Sequence, residues 1–269
     1  MRRPRLRVRP MRRLSLNRMI PNILTLLALC AGMTAIRLAL AERYKEAVIA
    51  IIVAGILDGI DGRIARLLKG TSNFGAELDS LSDFVSFGVA PALLMYVWSL
   101  HNLTSIGWMV ALLFAVCCAL RLARFNTQIG ADLPSYAYNF FTGVPAPAGA
   151  GLAVMPMLLQ FETRWDGFRT APFGAAVLAA VAALMISRVP TFSLKRFQVP
   201  REWVLALLLI IGALAALSTT EPWAALLVIG FGYIASIPWS IKAYAKLRRA
   251  AEELRAAGRG ELVELERPH

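Results

Sequence analysis

The chain has 269 residues, 58% of them hydrophobic and 17% charged, with a formal net charge of +12 and two histidines. Its mean hydropathy of +0.59, and apolar runs close to the roughly 20 residues that cross a bilayer, exclude an ordinary soluble domain. The basic residues sit at the chain ends and between apolar runs. That placement suits anionic headgroups and a negatively charged substrate, and it argues against nucleic acid as a partner.

Residues 1–21 form a polybasic segment with Arg2, Arg3, Arg5, Arg7, Arg9, Arg12, Arg13 and Arg18, in which Pro4 and Pro10 oppose a helix. Eight helical spans are then expected, at about 22–41, 46–68, 75–100, 105–125, 144–161, 172–187, 202–218 and 222–241. Pro21, Pro145, Pro172, Pro200 and Pro222 stand near span starts, where proline is tolerated. The expected fold is all-α: a polytopic membrane helix bundle of about eight transmembrane helices over residues 22–241. Arg63, Arg66, Lys69, Arg121, Arg124, Arg188, Lys195 and Arg196 lie between alternate spans, whereas the loops near His101 and Glu221 hold no Lys or Arg. The positive-inside rule therefore places both termini in the cytoplasm, with a charged cytoplasmic tail over 242–269. Cys30, Cys117 and Cys118 read as small buried hydrophobes, and His101 and His269 offer little for histidine catalysis or zinc.

One segment carries chemistry. Asp58 and Asp61 share a helix face with Gly62 and Arg66, and after a short turn Gly75, Asp79 and Asp83 recur every four residues. Two antiparallel helices can thus direct four carboxylates at one another. Each aspartate costs about 2.5–3.5 kcal/mol at the centre of a membrane helix, and Arg63, Arg66 and Lys69 offset only part of that. An all-oxygen donor set suits Mg²⁺ or Mn²⁺, and two ions about 4 Å apart would clamp a phosphoryl group. Gly59, Gly62 and Gly75 clear space for a bulky diphosphate or, equally, pack helices. The aspartates read alternatively as an ion-pair network or a cation pathway. Spans five to eight hold scarcely any ionisable residue between their ends, which opposes such a pathway.

The pattern D-x-x-D-G-x-x-A-R-x8-G-x3-D-x3-D is matched by Asp58, Asp61, Gly62, Ala65, Arg66, Gly75, Asp79 and Asp83. It resembles the signature of the CDP-alcohol phosphotransferases. The resemblance implies a six-helix family core plus two further helices, and transfer of a substituted phosphoryl group from a CDP-linked lipid to an alcohol with release of CMP. It further implies that Asp58, Asp61 and Asp79 bind two divalent metals, Mg²⁺ or Mn²⁺. Asp83 would contact the second metal and act as the catalytic base. Asn22, Ile23, Leu24, Thr25, Gly62, Arg66 and Ser72 would contact the CDP-lipid. Homodimers are common in that family.

Residues 72–92, 121–126 and 141–148 resemble the branch of the family that forms phosphatidylserine. The implied substrates are CDP-diacylglycerol and L-serine, among membrane phospholipids, in a cytoplasmic (inner) membrane with the active site toward the cytoplasm. A serine carboxylate calls for an arginine fork. Arg121 and Arg124 are candidates, with Asn126 adding a hydrogen bond; both arginines read equally well as ordinary positive-inside residues. Gly143, Pro145 and Pro147 shape the start of the fifth span. The alternatives are another enzyme of the family, forming phosphatidylglycerophosphate or phosphatidylcholine, and a cation transporter.

Overall fold

A computed structural model describes residues 19–68, 73–128, 140–192 and 201–256. The arginine-rich start of the chain, Lys69, Ser72, Pro200 and the end of the tail lie outside the described residues, so the expectations placed on them are not addressed.

The small residues of the first apolar run set how the bundle packs. Helix α1 (Ile20–Leu40) buries Pro21, Thr25, Ala28, Gly32, Ala35 and Ala39, one face repeating in steps of four and three. With nothing larger than threonine there, neighbours approach closely; a Cβ at Gly32 would stand 2.8 Å from the Ser86 Cα. Helix α2 (Tyr44–Leu67) returns along α1 and buries Ala47, Val48, Ile51, Ala54 and Asp61. Its inward stripe is apolar for half its length and then becomes acidic.

The third span is a continuous rod of α3 (Asn73–Asp83), a π-helical stretch (Phe84–Val89) and α4 (Ala90–Trp98). The widened turn was not expected. Pro91 supplies a cause, since it has no N–H for the α-helical bond back to Phe87, while Ala90 N–H reaches back five residues to Val85 O. Helix α5 (Thr104–Gln128) follows. The fifth span also departs from a single helix, dividing at Val154 into α6 (Ala146–Ala153) and α7 (Met155–Thr163). Pro156 lacks the N–H that would bond Leu152 O across that point. Helices α8 (Ala171–Ile186) and α9 (Val204–Thr220) come next, and α10 (Pro222–Ala256) runs past the expected end of its span at 241.

The fold is not wholly helical. Strands β1 (Phe140–Thr142) and β2 (Pro190–Phe192) pair antiparallel, Phe141 opposite Thr191. Gly143 closes the ribbon onto the end of α8 at a φ of +77°, where an added Cβ would meet Met185 O at 2.6 Å. This agrees with its expected role in shaping the start of the fifth span.

Trp98, Phe87, Phe114, Leu94 and Met95 are the largest fully buried side chains, at the junction of the third rod with α5. Cys117 and Cys118 are buried and unpaired, as expected of small apolar residues, while Cys30 is exposed. Among the described residues, four stretches are long and apolar enough to cross a membrane: Ile20–Leu40, Phe74–Trp98, Leu100–Thr127 and Pro222–Glu253. Helices α8 and α9, of 16 and 17 residues, are apolar but shorter, and α2 is long but charged near its end. The chain is an α-helical membrane protein, with one short ribbon among the described residues.

Candidate active site

The start of α1, the end of α2, the second half of α3 and the end of α5 meet at the site. One carboxylate oxygen from each of Asp58, Asp61 and Asp79 lies within 4.8 Å of the others. Asp61 is only 3% exposed. Asp83, one turn beyond Asp79, comes close enough to Asp58 for their carboxyl groups to share a hydrogen bond. The spacing-based expectation of four converging carboxylates is met, with Asp83 set beside the trio rather than within it.

Charge balance around this group differs from expectation. Among the described residues the ion pairs are Arg43–Glu46 at 3.1 Å and Arg248–Glu252 at 2.8 Å, both exposed and neither involving these aspartates. Arg63 and Arg66 are exposed. Among the described residues the cation that faces the cluster is Arg121 of α5, which stands within electrostatic reach of Asp83 and Asp58 without closing a salt bridge. Three clustered oxygen donors, none of them salt-bridged to a cation among the described residues, form a donor set that fits a hard divalent ion.

Hydrogen bonds hold the cluster to α1. The Thr25 hydroxyl donates to Asp61 Oδ2 at 2.7 Å and lies 3.0 Å from Pro21 O. Ser82 Oγ donates to Thr25 O at 3.1 Å and Ser86 Oγ to Ala28 O at 3.3 Å. The two serines are one turn apart and flank Asp83, so they fix its helix against α1. Sequence reasoning missed both; their spacing from Asp83 was the available signal. Thr25, expected at the CDP-lipid, touches a metal-ligand candidate directly. Asn22 and Leu24 are half-buried and Ile23 is exposed beside it. Cβ atoms added at Gly59 or Gly62 would meet nothing within 4 Å, so both border open space.

The three acceptor candidates on α5 separate. Arg121 faces the aspartates and also lies over the Phe125 ring at 5.8 Å. Arg124 Nη1 donates to Ile186 O at 2.8 Å, tying α5 to the end of α8. Asn126 Nδ2 donates to Ser80 Oγ at 2.8 Å, bracing the residue next to Asp79. Deeper in the bundle, Val48 and Ile51 of α2, Pro147 and Gly151 of α6, Leu158 of α7 and Tyr233 of α10 line an apolar cavity of about 220 Å³.

Comparison with known proteins agrees with this geometry. Residues 18–189 match the sequence model of the family described as CDP-alcohol phosphatidyltransferase, and residues 202–238 match a second described as CDP-alcohol phosphatidyltransferase 2. A CDP-diacylglycerol–serine O-phosphatidyltransferase of Mycobacterium tuberculosis is 40% identical over 83% of this chain and 78% of its own. One from Helicobacter pylori is 34% identical over 78% of this chain and 85% of its own. An archaetidylserine synthase of Methanothermobacter thermautotrophicus is 33% identical over 63% of this chain and 68% of its own. With its acidic cluster, its helical membrane fold and these relatives, the chain belongs to the CDP-alcohol phosphatidyltransferase family.

Proposed function

We propose that the chain transfers the phosphatidyl group of CDP-diacylglycerol to L-serine, giving phosphatidylserine and CMP. The observation that carries this is the cluster of Asp58, Asp61 and Asp79 with Asp83 and Arg121 beside it. The serine acceptor is carried by the printed activities of the bacterial relatives.

Asp58, Asp61 and Asp79 would hold two divalent ions, Mg²⁺ or Mn²⁺, with Asp83 at the second. When bound, these ions would offset the charge of the diphosphate and of the departing CMP. Asp83 takes the proton of the serine hydroxyl. That oxygen bonds to the phosphorus bearing diacylglycerol, and the bond from this phosphorus to the CMP oxygen breaks. Gly62 gives the nucleotide access to the α2 backbone, and Asn22, Ile23, Leu24, Arg66 and Ser72 complete the CDP-lipid contacts. Arg121 attracts the serine carboxylate. Arg124 and Asn126 act on the site by tying α5 to α8 and to α3. The apolar cavity beneath the cluster suits a lipid chain.

The eight helical spans cross an inner membrane with both termini and the site on the cytoplasmic face, a placement supported by the distribution of Arg and Lys. Residues 1–21 and the chain beyond 241 flank the transmembrane domain as basic and mixed-charge segments. Purified protein with CDP-diacylglycerol and Mn²⁺ or Mg²⁺ should release CMP with L-serine and not with glycerol 3-phosphate, inositol or choline. Turnover of one of those alcohols without turnover of serine would refute the assignment.

A further inference from the structure

We propose that Tyr233 is a second acceptor-binding residue, its hydroxyl holding the carboxylate of the amino-acid substrate together with Arg121. The inference rests on serine being the acceptor. It adds a contact from α10, a helix that carries no part of the aspartate motif.

Tyr233 occupies an unusual position. Its hydroxyl oxygen is buried and has no hydrogen-bond partner among the described residues. A buried donor without an acceptor is costly, and most such groups in folded proteins find one. The Thr191 hydroxyl stands beside it and gives its own proton to Gly143 O at 2.9 Å. The ring of Tyr233 forms part of the apolar cavity wall. Its polar end therefore awaits a partner while its apolar body is already packed.

Arg121 says what that partner is. Its guanidinium lies within electrostatic reach of Tyr233 as well as of Asp83 and Asp58. A guanidinium carries donors only, and a neutral phenol adds another. Donors of this kind grouped together match the two oxygens of a carboxylate. In serine the carboxylate is two carbon atoms from the hydroxyl. An acceptor whose hydroxyl meets Asp83 thus presents its carboxylate toward Arg121, and its ammonium is left to the acidic side of the site. A neutral alcohol or an amino alcohol without a carboxylate would leave both donors unanswered, which is how the pair selects.

The test is steady-state kinetics of the purified full chain in lipid micelles, varying each substrate, for wild type, Tyr233→Phe, Arg121→Gln and the double variant. Loss of a hydrogen bond to a charged group should raise the KM for L-serine on the order of 10- to 100-fold in Tyr233→Phe. The KM for CDP-diacylglycerol should stay within about twofold of wild type. Two residues holding one carboxylate should be non-additive, so the double variant should lose less than the product of the single losses. Tyr233→Leu keeps an apolar wall, lacks the hydroxyl and should show the same selective rise. A serine KM unchanged in Tyr233→Phe, or equal rises in both KM values, overturns the inference while wild-type serine turnover stands. Wild-type protein inert toward serine overturns the acceptor assignment and this inference with it.

Discussion

Replacing Thr25 with valine keeps the branched shape of the side chain and removes one donor from Asp61. The bond lost is 2.7 Å long, and Asp61 is only 3% exposed, so bulk water is poorly placed to substitute. A hydrogen bond to a charged group is worth about 1.5–3 kcal/mol, or roughly 10- to 150-fold in an equilibrium constant. Partners that orient a metal ligand express this chiefly in metal affinity, by about 10- to 100-fold. The assay is CMP release against Mn²⁺ concentration at saturating lipid and serine. The activation constant should rise by at least about tenfold on that scale, turnover at saturating Mn²⁺ should largely survive, and Thr25→Ser should restore the wild-type curve. A wild-type activation constant in Thr25→Val, with the CDP-diacylglycerol KM raised instead, would refute the positioning role and return Thr25 to the nucleotide.

Asp83→Asn should lower kcat by about 10²- to 10⁴-fold, the usual range for loss of a general base, while CDP-lipid binding measured by equilibrium titration stays near wild type. Gly32→Ala places a Cβ 2.8 Å from the Ser86 Cα; the clash should cost about 1–3 kcal/mol and lower the melting temperature in detergent. Gly62→Leu adds a side chain where a Cβ meets nothing within 4 Å, so thermal stability should hold while the CDP-diacylglycerol KM rises. Treatment with EDTA should stop CMP release, and added Mg²⁺ or Mn²⁺ should restore it.

The aspartates were legible because their spacing is local. Intervals of three and four on each of two helices fix one face regardless of the rest of the bundle, and a short connection brings the faces together. The breaks in the third and fifth spans were legible in part: Pro91 and Pro156 stood in the sequence, but apolar runs on both sides concealed the departures from a single α-helix. The ribbon of β1 and β2 left little trace, since each strand has three residues and the pairing joins segments far apart in the chain. Tyr233 was invisible for the same reason. Nothing near it is polar enough to mark a site, and its relation to Arg121 exists only once α10 has packed against the core.

Arg121, Arg124 and Asn126 show how composition misleads where rotation decides. In sequence they form one polar patch at the end of a span, and the positive-inside rule counts the two arginines as equivalent. At about 100° per residue, Arg124 points some 60° away from Arg121, and Asn126 some 140° to the other side. About one and a half helix turns therefore serve three partners: Arg121 faces the aspartates, Arg124 bonds the carbonyl of Ile186, and Asn126 bonds Ser80. Two of these bonds anchor α5 to α8 and α3, and the anchoring holds the third side chain beside a carboxylate cluster without letting it close a salt bridge. A lysine at position 121 would keep the charge that the sequence rule counts and lose the planar fork. Under the proposed function, the positive-inside count and the chemistry place different demands on the same residue, and the chemical demand is the stricter one.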